Sequence, residues 1–161
     1  MKILIISDTH GKDYYLQKTL EKVAPIDLLI HLGDIEGREE YIKSIVHCPT
    51  EMISGNNDYM NKLPKEKIIQ IGRYKVMLTH GHRYGVNYNT NNILEAAKRN
   101  NVDIIMYGHT HMPLIHLNDG IWTVNPGSLA LPRQHNRTPS YIIMDIDAQG
   151  EAHFTLNYYS E

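Results

Sequence analysis

Short aliphatic runs alternate with amphipathic stretches through the first two thirds of the chain. Residues 2–7 (KILIIS) form an apolar run too brief for a helix and predict a buried strand. Residues 13–24 place Leu16, Leu20, Val23 and Ala24 on one helical face, and Pro25 stops that helix. Residues 27–32 (DLLIHL) predict a second strand. Residues 39–46 predict a second helix with Ile42, Ile45 and Val46 inward, and residues 51–54 a third strand. Residues 67–71 and 75–79 read as a hairpin around Gly72-Arg73. Asn92 and Glu95 have capping-box spacing before a third helix ending near Asn100-Asn101, and residues 102–107 are again a strand. From Pro113 onward, Asn118-Asp119-Gly120, Asn125-Pro126-Gly127 and Ala148-Gln149-Gly150 punctuate short β runs. Strand–helix alternation followed by hairpins implies an α/β layered fold on a largely parallel first sheet.

Composition narrows the function classes. A chain of 161 residues, 42% hydrophobic and 21% charged, fits one globular domain over residues 1–161 and argues against disorder. Sixteen Lys and Arg against 18 Asp and Glu leave a net charge of −2, so gripping a nucleic-acid backbone is disfavoured. A single cysteine, Cys48, excludes an internal disulfide and a cysteine-based zinc site, and suits a reducing, cytoplasmic setting. No apolar run approaches the ~20 residues of a membrane span, and the first residues lack signal-peptide character. The unusual count is ten histidines. Their positions matter more than their number.

Five predicted strands each run into a polar, glycine-rich exit bearing a candidate metal ligand. KILIIS exits into Asp8-Thr9-His10-Gly11, DLLIHL into Gly33-Asp34 and EMIS into Gly55-Asn56-Asn57-Asp58. KVMLT exits into His80-Gly81-His82, and DIIMY into Gly108-His109-Thr110-His111. In an α/β sheet the carboxyl ends of strands form the crevice where ligands bind. Carboxylates, imidazoles and a carboxamide without thiolate suit a borderline transition metal better than magnesium or calcium. The donors exceed what one ion needs, which points to two ions sharing a carboxylate, an arrangement built for phosphoryl hydrolysis.

With SDTHG, IHLGD, THGH, YGHTH and VNPGSLALPR in this order, the chain resembles the calcineurin-type metallophosphoesterases, and within them the small single-domain bacterial and archaeal phosphodiesterases. The resemblance spans essentially the whole chain. It implies a four-layer αββα sandwich with a dinuclear site at the strand ends. It further implies that Asp8, His10, Asp34 and His111 hold one metal and Asp34, Asn56, His80 and His109 the other. The expected cofactors are two divalent transition-metal ions, manganese first, with nickel, zinc, iron or cobalt as alternatives. A hydroxide shared between them would attack a small phosphoester substrate. Many family members have a histidine after the ligand asparagine, thought to protonate the leaving group. Here that position is Asn57, which has no proton to give, and His82 is the nearest candidate substitute. Both enter as candidate catalytic residues. Asp58 is expected to orient the asparagine loop and His31 to support a ligand or pack, while Arg133 is a candidate phosphate contact. His47, His116, His135 and His153 are read as outside the site. A protein-binding scaffold of the same fold and a nuclease are the rival functions; a homo-oligomer is compatible with the sequence.

Overall fold

A computed structural model describes residues 1–159. In chain order the elements are β1 (Lys2–Ile6), α1 (Tyr14–Val23), β2 (Leu28–His31), α2 (Glu39–Ile45), β3 (Thr50–Met52), β4 (Glu66–Ile71) and β5 (Tyr74–Thr79). A 3₁₀ turn over His82–Tyr84 leads to α3 (Asn91–Arg99), β6 (Ile104–Met106), β7 (Pro113–Asn118), β8 (Ile121–Pro126), β9 (Ser140–Ile146) and β10 (Ala152–Tyr158). The strands form two five-stranded sheets, ordered β10-β9-β1-β2-β3 and β4-β5-β6-β8-β7. β1, β2 and β3 are parallel, as are β5, β6 and β8, and antiparallel strands complete each sheet. Among the described residues, no helix is long and apolar enough to cross a membrane.

The period-2 alternation of β1 explains the layering. Ile3 and Ile5 join Ile30, Leu78, Met106, Val124 and Ile142 in a core between the sheets. Leu4 and Ile6 point the other way, into a second core with Leu16 and Val23 of α1 and Ile42 of α2. A third core packs Ile93, Ala96 and Ala97 of α3 against Met77 and Ile105 of the second sheet. The result is helix, sheet, sheet, helix, the αββα sandwich. Each fully buried aliphatic contributes roughly 1.5–3 kcal/mol, so the central layer carries much of the stability.

Some local expectations need correction. The capping box at Asn92 and Glu95 does not form: the helix starts two residues earlier than that box requires, behind Thr90, and Asn92 Nδ2 donates to the Tyr84 carbonyl at 3.2 Å. Asp13 stands at the N-terminus of α1 but caps nothing, because its carboxylate is paired with Arg38. On α1 the buried face is Leu16, Thr19 and Val23, whereas Ala24 is exposed beyond the last turn. The hairpin is as read: Ile71 pairs with Tyr74 across Gly72-Arg73, and Gly72 takes the positive φ (+55°) that such a two-residue turn requires.

Candidate metal centre

All five strand exits converge at one end of the sandwich, three from the first sheet and two from the second. Their backbone is unusual. Asp8, His10, Asp34, His109 and His111 have φ of 55°, 46°, 54°, 68° and 58°. A left-handed conformation at a non-glycine residue costs on the order of 1–3 kcal/mol, and such residues cluster at functional sites. Strand exits with αL residues turn each ligand back over the sheet edge. Glycines make the approach close enough: a Cβ on Gly55 would lie 2.1 Å from Asp34 Oδ1, and one on Gly108 would lie 2.8 Å from Asp8 Oδ2.

The hydrogen bonds define what the cluster lacks. His80 Nδ1 donates to the Leu32 carbonyl at 2.7 Å, His111 Nδ1 to the Leu131 carbonyl at 2.6 Å, and His10 Nδ1 to Glu36 Oε1 at 2.7 Å. In a neutral imidazole the other ring nitrogen then carries a lone pair. All three Nε2 atoms converge on acceptors. His80 Nε2 lies 3.1 Å from Asn56 Oδ1, 3.5 Å from Asp34 Oδ2 and 3.9 Å from Asp8 Oδ1. His111 Nε2 lies 3.1 Å from Asp8 Oδ1 and 3.3 Å from His10 Nε2. His10 Nε2 is 3.8 Å from Asp34 Oδ2. Asp8 Oδ1 is fully buried and accepts no hydrogen bond. Lone pairs facing lone pairs around an orphaned carboxylate oxygen call for positive charge. Asp8, His10 and His111 form one group that could hold a cation, and Asp8, Asp34 and His80 another. The donor set is nitrogen and oxygen with imidazoles oriented from behind, which fits a divalent transition metal.

The titration behaviour agrees. Burial opposes ionisation of Asp8 and Asp34, yet the neighbouring imidazoles of His111 and His80 respectively, joined at Asp34 by the Asn57 donors, hold both carboxyls below the usual range. Burial pulls the His80 imidazole down, but the nearby Asp34 and Asp8 carboxylates win and raise it. Burial lowers both His82 and His109, and the neighbouring His80 lowers them further.

The remaining candidates occupy distinct places. Asn57 is committed to Asp34: its backbone N–H donates to Asp34 Oδ1 at 2.9 Å and its Nδ2 to Asp34 Oδ2 at 2.7 Å. His109 flanks the cluster, its ring centroid 5.2 Å from that of His80 and its Nε2 accepting from Asn87 Nδ2 at 2.9 Å; it is in neither group. The His82 ring stands 5.5 Å from His80 and 5.9 Å from His109, and its Nδ1 is buried without a hydrogen-bond partner. Asp58 is buried and accepts the N–H groups of Ile35, Glu36 and Gly55, bracing both loops as expected. His31 is fully buried. Its Nδ1 accepts the Gly33 N–H, so Nε2 carries the proton toward Thr9 Oγ1 at 2.9 Å, and burial pushes its pKa down to about 4.

The VNPGSLALPR string supports the cleft through its backbone. Ser128 Oγ donates to the Asp8 carbonyl and accepts from Ala130 and Leu131, which sets the carbonyl that holds His111. Arg133 is exposed, and its N–H donates to the His111 carbonyl. His47, His116, His135 and His153 are exposed and outside the cluster. Sequence reading missed Glu36. It belongs to no motif, but a ligating histidine needs an outer partner, and a carboxylate two residues past Asp34 was a nameable one.

Comparison with known proteins places this geometry. The family model of the calcineurin-like phosphoesterase superfamily domain matches residues 1–149. The chain is 32% identical over 164 residues to the probable metallophosphoesterase YsnB of Bacillus subtilis, covering 100% of this chain and 92% of that one. It is 27% identical over 172 residues to the phosphodiesterase YfcE of Escherichia coli, covering 91% and 89%. Among solved structures, a conserved Streptococcus pneumoniae protein described as a predicted phosphoesterase superposes with a TM-score of 0.80 at 25% identity, covering 98% of this chain and 97% of that one. A zinc complex of Vps29 from Entamoeba histolytica superposes with a TM-score of 0.78 at 23% identity, covering 98% and 99%, a likeness of fold alone.

Proposed function

The chain belongs to the calcineurin-like phosphoesterase superfamily, and from that premise we propose that it is a metal-dependent phosphodiesterase acting on small phosphodiesters through two divalent ions, manganese first. The observation that carries this reading is the convergence of the His10, His80 and His111 lone pairs on Asp8 Oδ1, which accepts no hydrogen bond, and on Asp34 Oδ2, whose one donor is Asn57 Nδ2. Asp8, His10, Asp34 and His111 would hold one ion, and Asp34, Asn56, His80 and His109 the other. Bound there, the ions supply Lewis acidity toward phosphoryl oxygens and water made nucleophilic near neutral pH.

The chain's own residues set the stage for that chemistry. Asp34, fixed by both Asn57 donors, lies within 4 Å of His10 on one side and His80 on the other, so it is placed to serve both ions. The carbonyls of Leu32 and Leu131 and the Glu36 carboxylate lock the three imidazoles in the tautomer that presents Nε2. Asn57 acts as a positioning residue for Asp34. His82, whose ring nitrogen is uncommitted, offers an N–H to the departing alcohol oxygen.

The test is hydrolysis of bis(4-nitrophenyl) phosphate by chelator-treated protein reconstituted with manganese, nickel, zinc or magnesium. Hydrolysis restored by manganese and abolished by chelation is the expected result. Metal-loaded protein that binds two ions and turns over no phosphoester would favour the scaffold reading instead.

A further inference from the structure

His31 ends β2 with a fully buried polar ring in a place where an aliphatic side chain would fit the pattern. Leu29, two residues back on the same face, belongs to the core beneath α1 and α2. So do its register partners, Ile6 of β1 and Met52 of β3. A hydrocarbon there would need no partner, whereas a buried imidazole needs both nitrogens satisfied. Both are satisfied, and by the two loops that carry proposed ligands. Nδ1 accepts the Gly33 N–H at 3.2 Å, and Nε2–H donates to Thr9 Oγ1 at 2.9 Å.

The two partners have telling neighbours. Thr9 stands between Asp8 and His10, and Gly33 immediately precedes Asp34. Backbone bonds already join these loops, from the Asp8 N–H to the Gly33 carbonyl at 3.1 Å and from the His10 N–H to the Asp34 carbonyl at 2.9 Å. Asp8 and His10 nevertheless both sit at positive φ, a conformation that persists in non-glycine residues only where the surroundings over-determine it. The His31 ring supplies a further constraint at the residue between them. Gly33 fixes the tautomer by occupying Nδ1, so the proton stands on Nε2, and that proton holds the Thr9 side chain. With Thr9 anchored, the peptide units on both of its sides are fixed, and Asp8 and His10 project from those units.

We propose that His31 is a positioning residue for the ion held by Asp8, His10 and His111, acting through its Nε2–H bond to Thr9; the proposal rests on the metal assignment made above. Its ring touches no ligand side chain in this role. It sets the backbone from which two of them are aimed.

Asparagine and glutamine separate the two ends of the ring. The asparagine amide reaches the place of Nδ1 and keeps an acceptor for Gly33, and the glutamine amide reaches the place of Nε2 and keeps a donor for Thr9. The measurement is titration calorimetry of manganese into chelator-treated protein, with melting curves in chelator to show that each variant folds. Thr9→Val and His31→Asn should each weaken one manganese-binding event about tenfold, the low end for an outer partner of a metal site. Thr9→Ser, which keeps the hydroxyl, should bind as the wild type does, and His31→Gln should lie closer to wild type than His31→Asn. The Thr9→Val, His31→Asn double variant should bind no more weakly than the weaker single, because both remove one bond. Thr9→Val that melts lower in chelator yet binds manganese as tightly as wild type makes His31 a packing residue and overturns the proposal. Equal losses in Thr9→Ser and Thr9→Val, additive losses in the double variant, or the reverse order of Gln and Asn overturn it too. If His31→Asn does not fold, the Thr9 pair decides alone. Wild-type protein that binds no manganese overturns the metal assignment and the proposal together, whereas wild-type binding with unmoved variants overturns the proposal alone.

Discussion

The two sheets bring unlike groups to the centre. Exits of the first sheet deliver both carboxylates, Asp8 and Asp34, with His10 and Asn56, whereas exits of the second deliver imidazoles alone, His80, His82, His109 and His111. The orienting bonds are crossed. Asp8 Oδ2 accepts the His109 N–H from the second sheet, and the His80 ring is held by the Leu32 carbonyl at the end of the first. Negative charge arrives from one side, lone pairs from the other, and each is aimed partly by the side it does not belong to. Ligand geometry and the packing of the two sheets are thus one property. The apolar layer between the sheets is a precondition of the site.

The sharpest way to break this division of labour is to remove charge from the carboxylate side. Asp34→Asn keeps the shape, but the added amide N–H₂ must face either the Asn57 backbone N–H at the Oδ1 place or Asn57 Nδ2 at the Oδ2 place, beside the His10 and His80 rings. Loss of activity should exceed the 10–100-fold typical of removing an outer partner of a metal ligand, with manganese content falling in parallel. Asn56→Ala removes one neutral donor and should cost clearly less. Rates of nitrophenol release and elemental analysis on both variants decide it. Equal losses would mean that Asp34 has no special place between the two groups.

The crossed bracing also predicts a stability readout that needs no substrate. A metal at 100 times its dissociation constant stabilises the folded state by about 2.7 kcal/mol, which for a domain of this size is roughly 5–10 °C in melting temperature. Chelation should lower the melting temperature by about that much, and manganese should restore it. A melting temperature indifferent to chelator and to added manganese would separate the site from the packing of the sheets.

The same comparison marks what the sequence made legible. Strand exits were readable because two signals coincide: an aliphatic run of strand length, then glycine beside Asp or His. That places Asp8, His10, Asp34, Asn56, His80 and His111 in one cluster without knowing the topology, because parallel strands put their carboxyl ends on one edge. Groups that aim the ligands were not readable. Leu32 and Leu131 contribute carbonyls, which every residue has, and their role depends on tertiary position. Glu36 looks like any exposed acid except for its place two residues past Asp34. Asn57 resembled a lost proton donor because its place in the motif was compared, while its bonds to Asp34 depend on how the loop after β3 folds back. The capping box failed for a related reason: Asn92 found a tertiary acceptor, Tyr84, that local spacing could not reveal.

Glu36 sharpens the comparison at an intermediate scale. Of the three imidazoles, only His10 is oriented by a side chain, since His80 and His111 lean on main-chain carbonyls that substitution cannot remove. Glu36→Gln keeps an acceptor and loses the charge, and Glu36→Ala loses both. Manganese binding at the His10 side should weaken about tenfold in Glu36→Ala and less in Glu36→Gln, while the His80 side stays tight. Titration calorimetry resolving two binding events would show one shifted and one unmoved. A uniform weakening of both would mean that Glu36 acts through the general field rather than through His10.

The smallest effect belongs to a histidine outside the strand exits of both sheets. His153 on β10 is exposed, and its Nε2 lies 2.8 Å from Asp147 Oδ2. This is the same imidazole–carboxylate pairing that His10 makes with Glu36, at nearly the same distance. The pairing alone cannot therefore mark function; what differs is the far side of the ring, which at His10 meets buried acceptors. At Asp147 the His153 bond, followed by the Glu151 N–H, holds the carboxyl below its ordinary value. A depressed carboxyl contributes stability that is present above its unfolded pKa and lost as pH falls through the folded one. His153→Ala should accordingly leave hydrolysis and manganese content unchanged. It should lower the melting temperature at neutral pH by about a degree at most, as expected for a screened surface pair, and that difference should close in acid. Melting curves from pH 7 to pH 3 on both proteins check the second part, and nitrophenol release checks the first. If His153→Ala cost as much activity as His109→Ala, the assignment of ligands to the strand exits would be wrong.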